Sequence, residues 1–328
     1  MAATIFSTPG THQPLFYKDT NGSRELVADD GQSYPVTDGY PDLTFPRRPE
    51  ERAATFRQFF NDTSDIYDQF LGQTFKTHGE DETVTRNYMI DRLNLKPDSK
   101  VLEVACGTGR DSELIAQRLG SGSEYALLDI APAMLRRCEQ RLQQFDIAKF
   151  FCVGSSGYLP FPDGYFDAVY CFAAMWYFPD PGRSLAEMTR VTKKGGKVVI
   201  ADESMPVWLR DTYFSKVLAN SNPKVLEDLP LKYIPVNARK VNIQWVIGGI
   251  FYLIDFEVGE GEPTGDFDYE IAGPVRGGTL RTRYEGQLEG VTPETKSMVY
   301  KAAKARGITV HKWLEQLVRE AAEKDLGK

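Results

Sequence analysis

Apolar and polar positions change rhythm along this chain, and the changes outline its elements. Residues 101–112 read VLEVACGTGRDS, a short apolar run ending in small residues. That pattern predicts a buried parallel strand, a tight turn at Gly107 and Gly109, and a helix opening near Arg110. Further apolar runs predict strands at 125–128, 150–153, 166–171 and 197–201. Leu135, Cys138 and Leu142 recur at helical spacing behind Pro132, which sits where a helix tolerates a missing N–H. Residues 82–93, 210–219 and 236–247 read as helices, while 251–258 and 280–288 read as strands. Those two strands flank a long stretch rich in Gly and Asp, 259–278, which reads as a flap over a substrate.

The glycine turn carries the first chemical hint. Glycine at 107 and 109 lets a ligand press against bare backbone, and the helix that follows aims free N–H groups at the same crevice. A phosphate loop is excluded, because Arg110-Asp111-Ser112 stands where Lys-Ser or Lys-Thr would be needed. The second strand ends in Asp129, 20 residues past Gly109, a spacing that suits a carboxylate accepting hydrogen bonds from ribose hydroxyls. NAD and S-adenosylmethionine both satisfy that arrangement. Glu103 favours the second, since a carboxylate near the turn disfavours a pyrophosphate and tolerates a cationic amino-acid group.

With LEVACGTG (102–109), LLDIAPAMLRRC (127–138), LPFPDGYFDAVYCFAAMWYFPDP (159–181) and LAEMTRVTKKGGKVVIADE (185–203) in order, the chain resembles the class I S-adenosylmethionine-dependent methyltransferases, especially the ubiquinone and menaquinone biosynthesis branch. The resemblance spans residues 59–202. It implies an α/β, Rossmann-like, mostly parallel seven-stranded sheet with helices on both faces and a terminal antiparallel hairpin, here formed by 251–258 and 280–288. It implies S-adenosyl-L-methionine as cofactor, held by Tyr67, Tyr88, Glu103, Ala105, Gly107, Gly109, Asp129, Ile130, Met134, Ser155, Ser156 and Phe172. Met134 would cover the adenine, and Tyr67 matches the tyrosine of a lid. Ser155 stands where the family usually has an acid, which is a departure.

Four aromatics within residues 172–178 follow the fourth strand, at the sheet end where α/β ligands bind. With Tyr158 and Glu203, Trp176 and Tyr177 are therefore candidates for the acceptor pocket, suited to a planar, apolar or cationic small molecule. His78, in the Thr77-His78-Gly79 loop, is the histidine placed to act as a base, because His12 and His311 belong to the two ends of the chain.

Length and charge bound the remainder. At 328 residues and 41% hydrophobic, the chain can bury a sizeable core, and a net charge of −7 argues against a nucleic-acid footprint. No apolar run reaches membrane length and the first ten residues do not read as a signal peptide, so a cytoplasmic location is expected. Cys106, Cys138, Cys152 and Cys171 lack metal spacing, so no metal site is expected.

The ends differ in texture from the middle. Residues 1–50 suggest a small β-rich module, similar over about 30 residues to the zinc-ribbon-like module of tRNA-methyltransferase activators but without its cysteines. Residues 51–98 read as a helical lid or linker, 99–291 as the methyltransferase domain, and 292–328 as two helices capped by Thr292 and Thr309 with Gly307 between them. Together with the expected strand before it, within 280–288, this last segment is similar over about 45 residues to ribbon-helix-helix DNA-binding proteins, and its two helices suit packing on the domain or joining two subunits into a homodimer equally well. Three functions stay open at this stage: a small-molecule methyltransferase, a nucleotide-dependent oxidoreductase, and a DNA-binding regulator on a methyltransferase scaffold.

Overall fold

A computed structural model describes residues 2–20, 22–48, 50–272, 277–285 and 291–327. Contacts divide the chain into two compact units, Met1–Glu262 and Pro263–Lys328.

The first unit opens with five antiparallel strands, β1 (Ala2–Ser7), β2 (Pro14–Thr20), β3 (Ser23–Val27), β4 (Ser33–Thr37) and β5 (Tyr40–Pro41), in sequential order. Helices α1 (Glu51–Thr63), α2 (Tyr67–Thr77) and α3 (Glu82–Ile90) lead into a seven-stranded sheet. Its parallel part comprises β6 (Lys100–Val104), β7 (Glu124–Asp129), β8 (Ala148–Val153), β9 (Phe166–Phe172) and β10 (Thr192–Glu203). Between these strands run α4 (Arg110–Ala116), α5 (Pro132–Leu142) and α6 (Pro181–Val191), and α7 (Tyr213–Ser221) follows β10. Two strands, β11 (Ala238–Val246) and β12 (Phe251–Val258), finish the sheet antiparallel. The spatial order is β11-β12-β10-β9-β6-β7-β8, so the chain reverses direction of growth beside β6 and leaves a crevice at that strand's carboxyl end.

Alternation along the strands feeds two cores. Leu102, Val104, Val169, Cys171, Val198 and Ile200 face one side, while Val101, Ala168, Tyr170, Val199 and Ala201 face the other. The second face is covered by α3, α4 and α5 through Met89, Ile90, Ile115, Leu135, Cys138 and Leu142. The first is covered by α6 through Leu185, Met188 and Val191, and by the N-terminal strands through Phe6, Leu15, Leu26 and Tyr34. Helices thus lie on both faces, but the N-terminal module supplies part of one cover. It also extends the sheet: Leu43 N–H donates to the Val153 carbonyl at 2.8 Å, and Asp42 bridges the same residue of β8 in parallel fashion. Full burial of each large apolar side chain contributes about 1.5–3 kcal/mol.

The terminal hairpin corrects the sequence reading. Its partner for 251–258 is β11, within the segment expected to be helical, and 280–285 forms a short helix, α8 (Leu280–Glu285). Val241, Ile243 and Trp245 alternate as a strand does, and Gly248 and Gly249 take positive φ in the connecting turn, so the strand's signal lay in period two and in the Gly-Gly pair. The rest of the expected strand, 286–288, and part of the expected flap, 273–276, lie outside the described residues.

In the second unit α9 (Pro293–Ala305) and α10 (Val310–Asp325) start as the sequence predicts, with Thr292 and Thr309 accepting from the N–H groups of Thr295 and Lys312. Gly307 turns between them at φ +64. The ribbon that a ribbon-helix-helix arrangement would take from 280–288 is helical at 280–285.

Candidate active site

The switch point beside β6 opens into a cavity of about 280 Å³. Its floor is the turn after β6. Ala105 sits there at φ +59 and Gly107 at φ +54, and a Cβ at Gly107 would meet nothing within 4 Å, so the backbone borders open space. At the end of β7 the Asp129 carboxylate accepts the Gly107 N–H at 2.9 Å and the Ala131 N–H at 2.8 Å. Burial pushes Asp129 up to about 6, against the pull of the Ala131, Gly107 and Ile130 N–H groups. Ile130, Met134, Gly154, Ser155 and Ser156 continue this wall, and Phe172 borders it from the end of β9.

The opposite wall is aromatic and comes mainly from before the sheet. Phe45, Pro46, Glu50 and Phe56 line it, and Phe60 packs edge-on against both Tyr67, at 5.9 Å between ring centres, and Tyr177, at 5.2 Å. Tyr158 stands at the rim between Phe45, at 4.8 Å, and the guanidinium of Arg183, at 4.9 Å from its ring. Burial pushes the Tyr67 phenol up, and the charges of Tyr177 and Asp129 add to the shift. Tyr67 is therefore a neutral hydrogen-bond donor at physiological pH.

The wall segments are tied to the glycine turn and the helices after it by a hydrogen bond and ion pairs. Thr108 Oγ1 donates to Asp68 at 2.5 Å and Arg141 to the other Asp68 oxygen at 2.6 Å. Glu82 accepts from Arg86 at 2.8 Å and from Arg110 at 2.5 Å. Arg86 is 4% exposed and pairs with Asp111 at 2.7 Å while lying 4.9 Å from the Phe172 ring. Burial alone would lower the Arg86 pKa, but Asp111 and Glu82 hold it above the ordinary value.

These features fit S-adenosylmethionine: a carboxylate to receive two ribose hydroxyls, a bare backbone floor, and an apolar slot at Ile130 and Met134. Residues 102–200 match the methyltransferase-domain family. Demethylmenaquinone methyltransferase of Renibacterium salmoninarum is 34% identical over 165 residues, which cover 49% of this chain and 62% of the relative. The ubiquinone/menaquinone biosynthesis C-methyltransferase of Bordetella avium is 38% identical over 121 residues, 37% of this chain and 47% of its own. The corresponding enzyme of Bordetella parapertussis is 37% identical over 174 residues, 51% of this chain and 67% of its own. The chain belongs to the class I S-adenosylmethionine-dependent methyltransferases, in the ubiquinone/menaquinone methyltransferase-like branch. It spans less than two thirds of the length of the first two relatives.

Around this cavity the sequence-selected residues separate into two groups. Tyr67, Ala105, Gly107, Asp129, Ile130, Met134, Ser155, Ser156, Tyr158, Phe172 and Tyr177 border the cavity. Six others do not. Glu103 is buried within the sheet domain, where Ser112 donates to it at 2.6 Å and Tyr125 donates to the same oxygen. Burial and the charge of Asp111 push it up to about 8, and it does not border the cavity. Gly109 packs against Cys138, where a Cβ would lie 2.8 Å from the sulfur. Tyr88 is exposed and donates to Gln244. His78 ends α2, with its ring 5.8 Å from that of Phe214 and its pKa lowered by burial. Trp176 lies in the 3-10 turn Met175–Tyr177, where its carbonyl accepts Arg52 at 2.7 Å and the guanidinium of Arg52 stands 5.5 Å from its ring. Glu203 lies behind the wall and accepts Asn222 Nδ2 at 2.7 Å.

The residues that the sequence reading missed are Phe45, Glu50, Phe56, Phe60 and Arg183. Phe56 and Phe60 did leave a signal, as large aromatics four apart on one face of α1.

Proposed function

We propose that this chain transfers the methyl group of S-adenosylmethionine to a small planar or apolar acceptor. The observation that carries the reading is Asp129, fixed at the carboxyl end of β7 by two backbone N–H groups and facing a cavity whose far wall is aromatic. When bound, S-adenosylmethionine supplies an electrophilic methyl on a sulfonium whose charge disappears during transfer.

The chain's own residues bind and align. Asp129 accepts the ribose hydroxyls, Ile130 and Met134 cover the adenine with Ser155 and Ser156 at its edge, and the floor at Ala105 and Gly107 receives the amino-acid end. In this reading residues 51–98 are the lid: α1 and Tyr67 close the cavity and exclude water, so that the acceptor and methyl meet in a dry, oriented site. No covalent residue is required. His78 has no part in this reading.

Two further parts of the reading concern assembly. The helices α9 and α10 leave Met298, Tyr300, Leu317 and Val318 exposed, which supports joining two copies of the chain. Among the described residues no helix is long and apolar enough to cross a membrane.

The test is a pair of measurements. S-adenosylhomocysteine is expected to raise the melting temperature while NAD leaves it unchanged, and labelled methyl is expected to reach a member of a panel of phenols, quinols and amines. The reverse ligand preference would overturn the reading.

A further inference from the structure

The segments before the sheet meet α5 along one regular seam. On α5, Ala133, Arg137 and Arg141 lie four residues apart, so they follow one face of the helix. Each has a partner across the seam. The Ala133 N–H donates to Asn61 Oδ1 at 3.1 Å, Arg137 pairs with Asp65, and Arg141 pairs with Asp68 at 2.6 Å. Asn61 belongs to α1, Asp68 to α2 and Asp65 to the turn between them. Asp65 is exposed, and Asp68 and Arg141 are half-buried. The inner side of the same segments differs in kind, since Ala53, Phe56, Phe60 and Tyr67 border the cavity. The cover is therefore polar where it meets α5 and apolar where it meets the site.

Asp68 does more than close the seam. Its Oδ1 accepts the Thr108 hydroxyl at 2.5 Å, its Oδ2 accepts Arg141, and its carbonyl accepts Arg110 Nη1 at 3.1 Å. Arg141 Nε in turn donates to the Thr108 carbonyl at 3.1 Å. Asp68, Thr108 and Arg141 thus form a closed ring of hydrogen bonds around the middle residue of the glycine turn. Tyr67, next to Asp68, belongs to the cavity wall, and Gly107, next to Thr108, belongs to its floor. One carboxylate ties wall to floor.

We propose that Asp68 is the latch of the donor site. While it holds Thr108 and Arg141 the lid is closed and the turn is set, and its release is the step that lets S-adenosylmethionine enter and S-adenosylhomocysteine leave. The inference rests on the methyl-transfer reading and adds to it the control of donor exchange. Asp68 does not border the cavity, so it is a positioning residue that acts through Thr108 and Tyr67. When a lid gates a site, breaking its latch speeds passage in both directions. Charged partners at a seam that reaches solvent are screened by ions, so exchange quickens with salt.

The test measures association and dissociation rates of tritiated S-adenosylhomocysteine separately, by rapid filtration on the full chain at low and high sodium chloride. Asp68→Asn and Thr108→Val are expected to raise both rates about tenfold, with the dissociation constant changing less than either rate. Thr108→Ser, which keeps the hydroxyl, is expected to stay near wild type. Wild-type rates are expected to rise with salt, and those of Asp68→Asn to respond less. A merely structural loss would speed dissociation and leave association unchanged or slower. Rates unchanged in Asp68→Asn and Thr108→Val, or a rise in dissociation alone, would overturn the proposal. Absence of S-adenosylhomocysteine binding to wild type would instead overturn the methyl-donor reading, and this inference with it.

Discussion

The Ser112 hydroxyl donates to Glu103 at 2.6 Å in the buried interior behind the glycine turn, and burial raises that carboxyl to about 8. The folded protein therefore keeps a proton that the unfolded chain releases at the ordinary carboxyl value. Stability tied to Glu103 is full below that ordinary value and falls as pH rises toward 8, by at most about 1.4 kcal/mol per pH unit. Asp129 and Asp202, both raised to about 6 by burial, titrate earlier, so the interval from about pH 6.5 to 8 reports mainly Glu103. Melting temperatures are expected to drop across that interval in the wild type and to stay nearly flat in Glu103→Gln, whose amide oxygen still accepts both hydroxyls.

Asp129 has the opposite use for its charge. As a carboxylate it accepts from both the protein and the ribose, and protonation removes acceptor capacity. The affinity for S-adenosylhomocysteine is expected to weaken as pH falls through about 6. Asp129→Ala, which also strands the N–H groups of Gly107 and Ala131, is expected to weaken it by roughly 100-fold, by the usual loss of charge-assisted hydrogen bonds. Calorimetric titration across pH measures both effects.

The two glycines of the turn should fail in different ways. Gly109→Ala places a methyl 2.8 Å from Cys138 Sγ and 2.9 Å from its Cα at φ +84, so a loss of about 2–3 kcal/mol in stability is expected from clash and strain together. Gly107→Ala meets no atom, costs only the strain of φ +54, and projects into the floor of the cavity. Its expected signature is near-normal urea unfolding with weakened binding of S-adenosylhomocysteine.

Arg86 and Asp111 form a buried pair at 2.7 Å, and the second Asp111 oxygen has no partner among the described residues. Arg86→Leu would leave the carboxylate buried without its cation, an expected loss of about 3–5 kcal/mol in urea unfolding. Replacing both, as Arg86→Leu with Asp111→Leu, is expected to recover part of that loss.

That Gly107, Asp129 and Met134 border one cavity was legible because each sits at the end of an apolar run or the start of a helix, where spacing and the family resemblance place it. Glu103 misled for the same reason: nothing in its strand reveals that Ser112 and Tyr125 turn toward it from two other elements. The aromatic wall was harder, since Phe56 and Phe60 meet Tyr177, and Phe45 meets Tyr158, across more than a hundred residues, a distance no periodicity spans. The seven-stranded sheet was legible and the residues of its terminal hairpin were misassigned, because β11 is exposed along much of its length and its period-two signal at Val241, Ile243 and Trp245 is carried by only three apolar residues.

The hydrogen bond from Leu43 to Val153 has a consequence for how the chain is made. β8 is the outermost parallel strand, and an uncovered strand edge is a template on which other chains can pair. Residues 42 and 43 are made before residue 153, so the segment that pairs with the end of this edge is already synthesised when β8 emerges. The N-terminal strands thus cap β8 at Val153 as well as covering one face of the sheet.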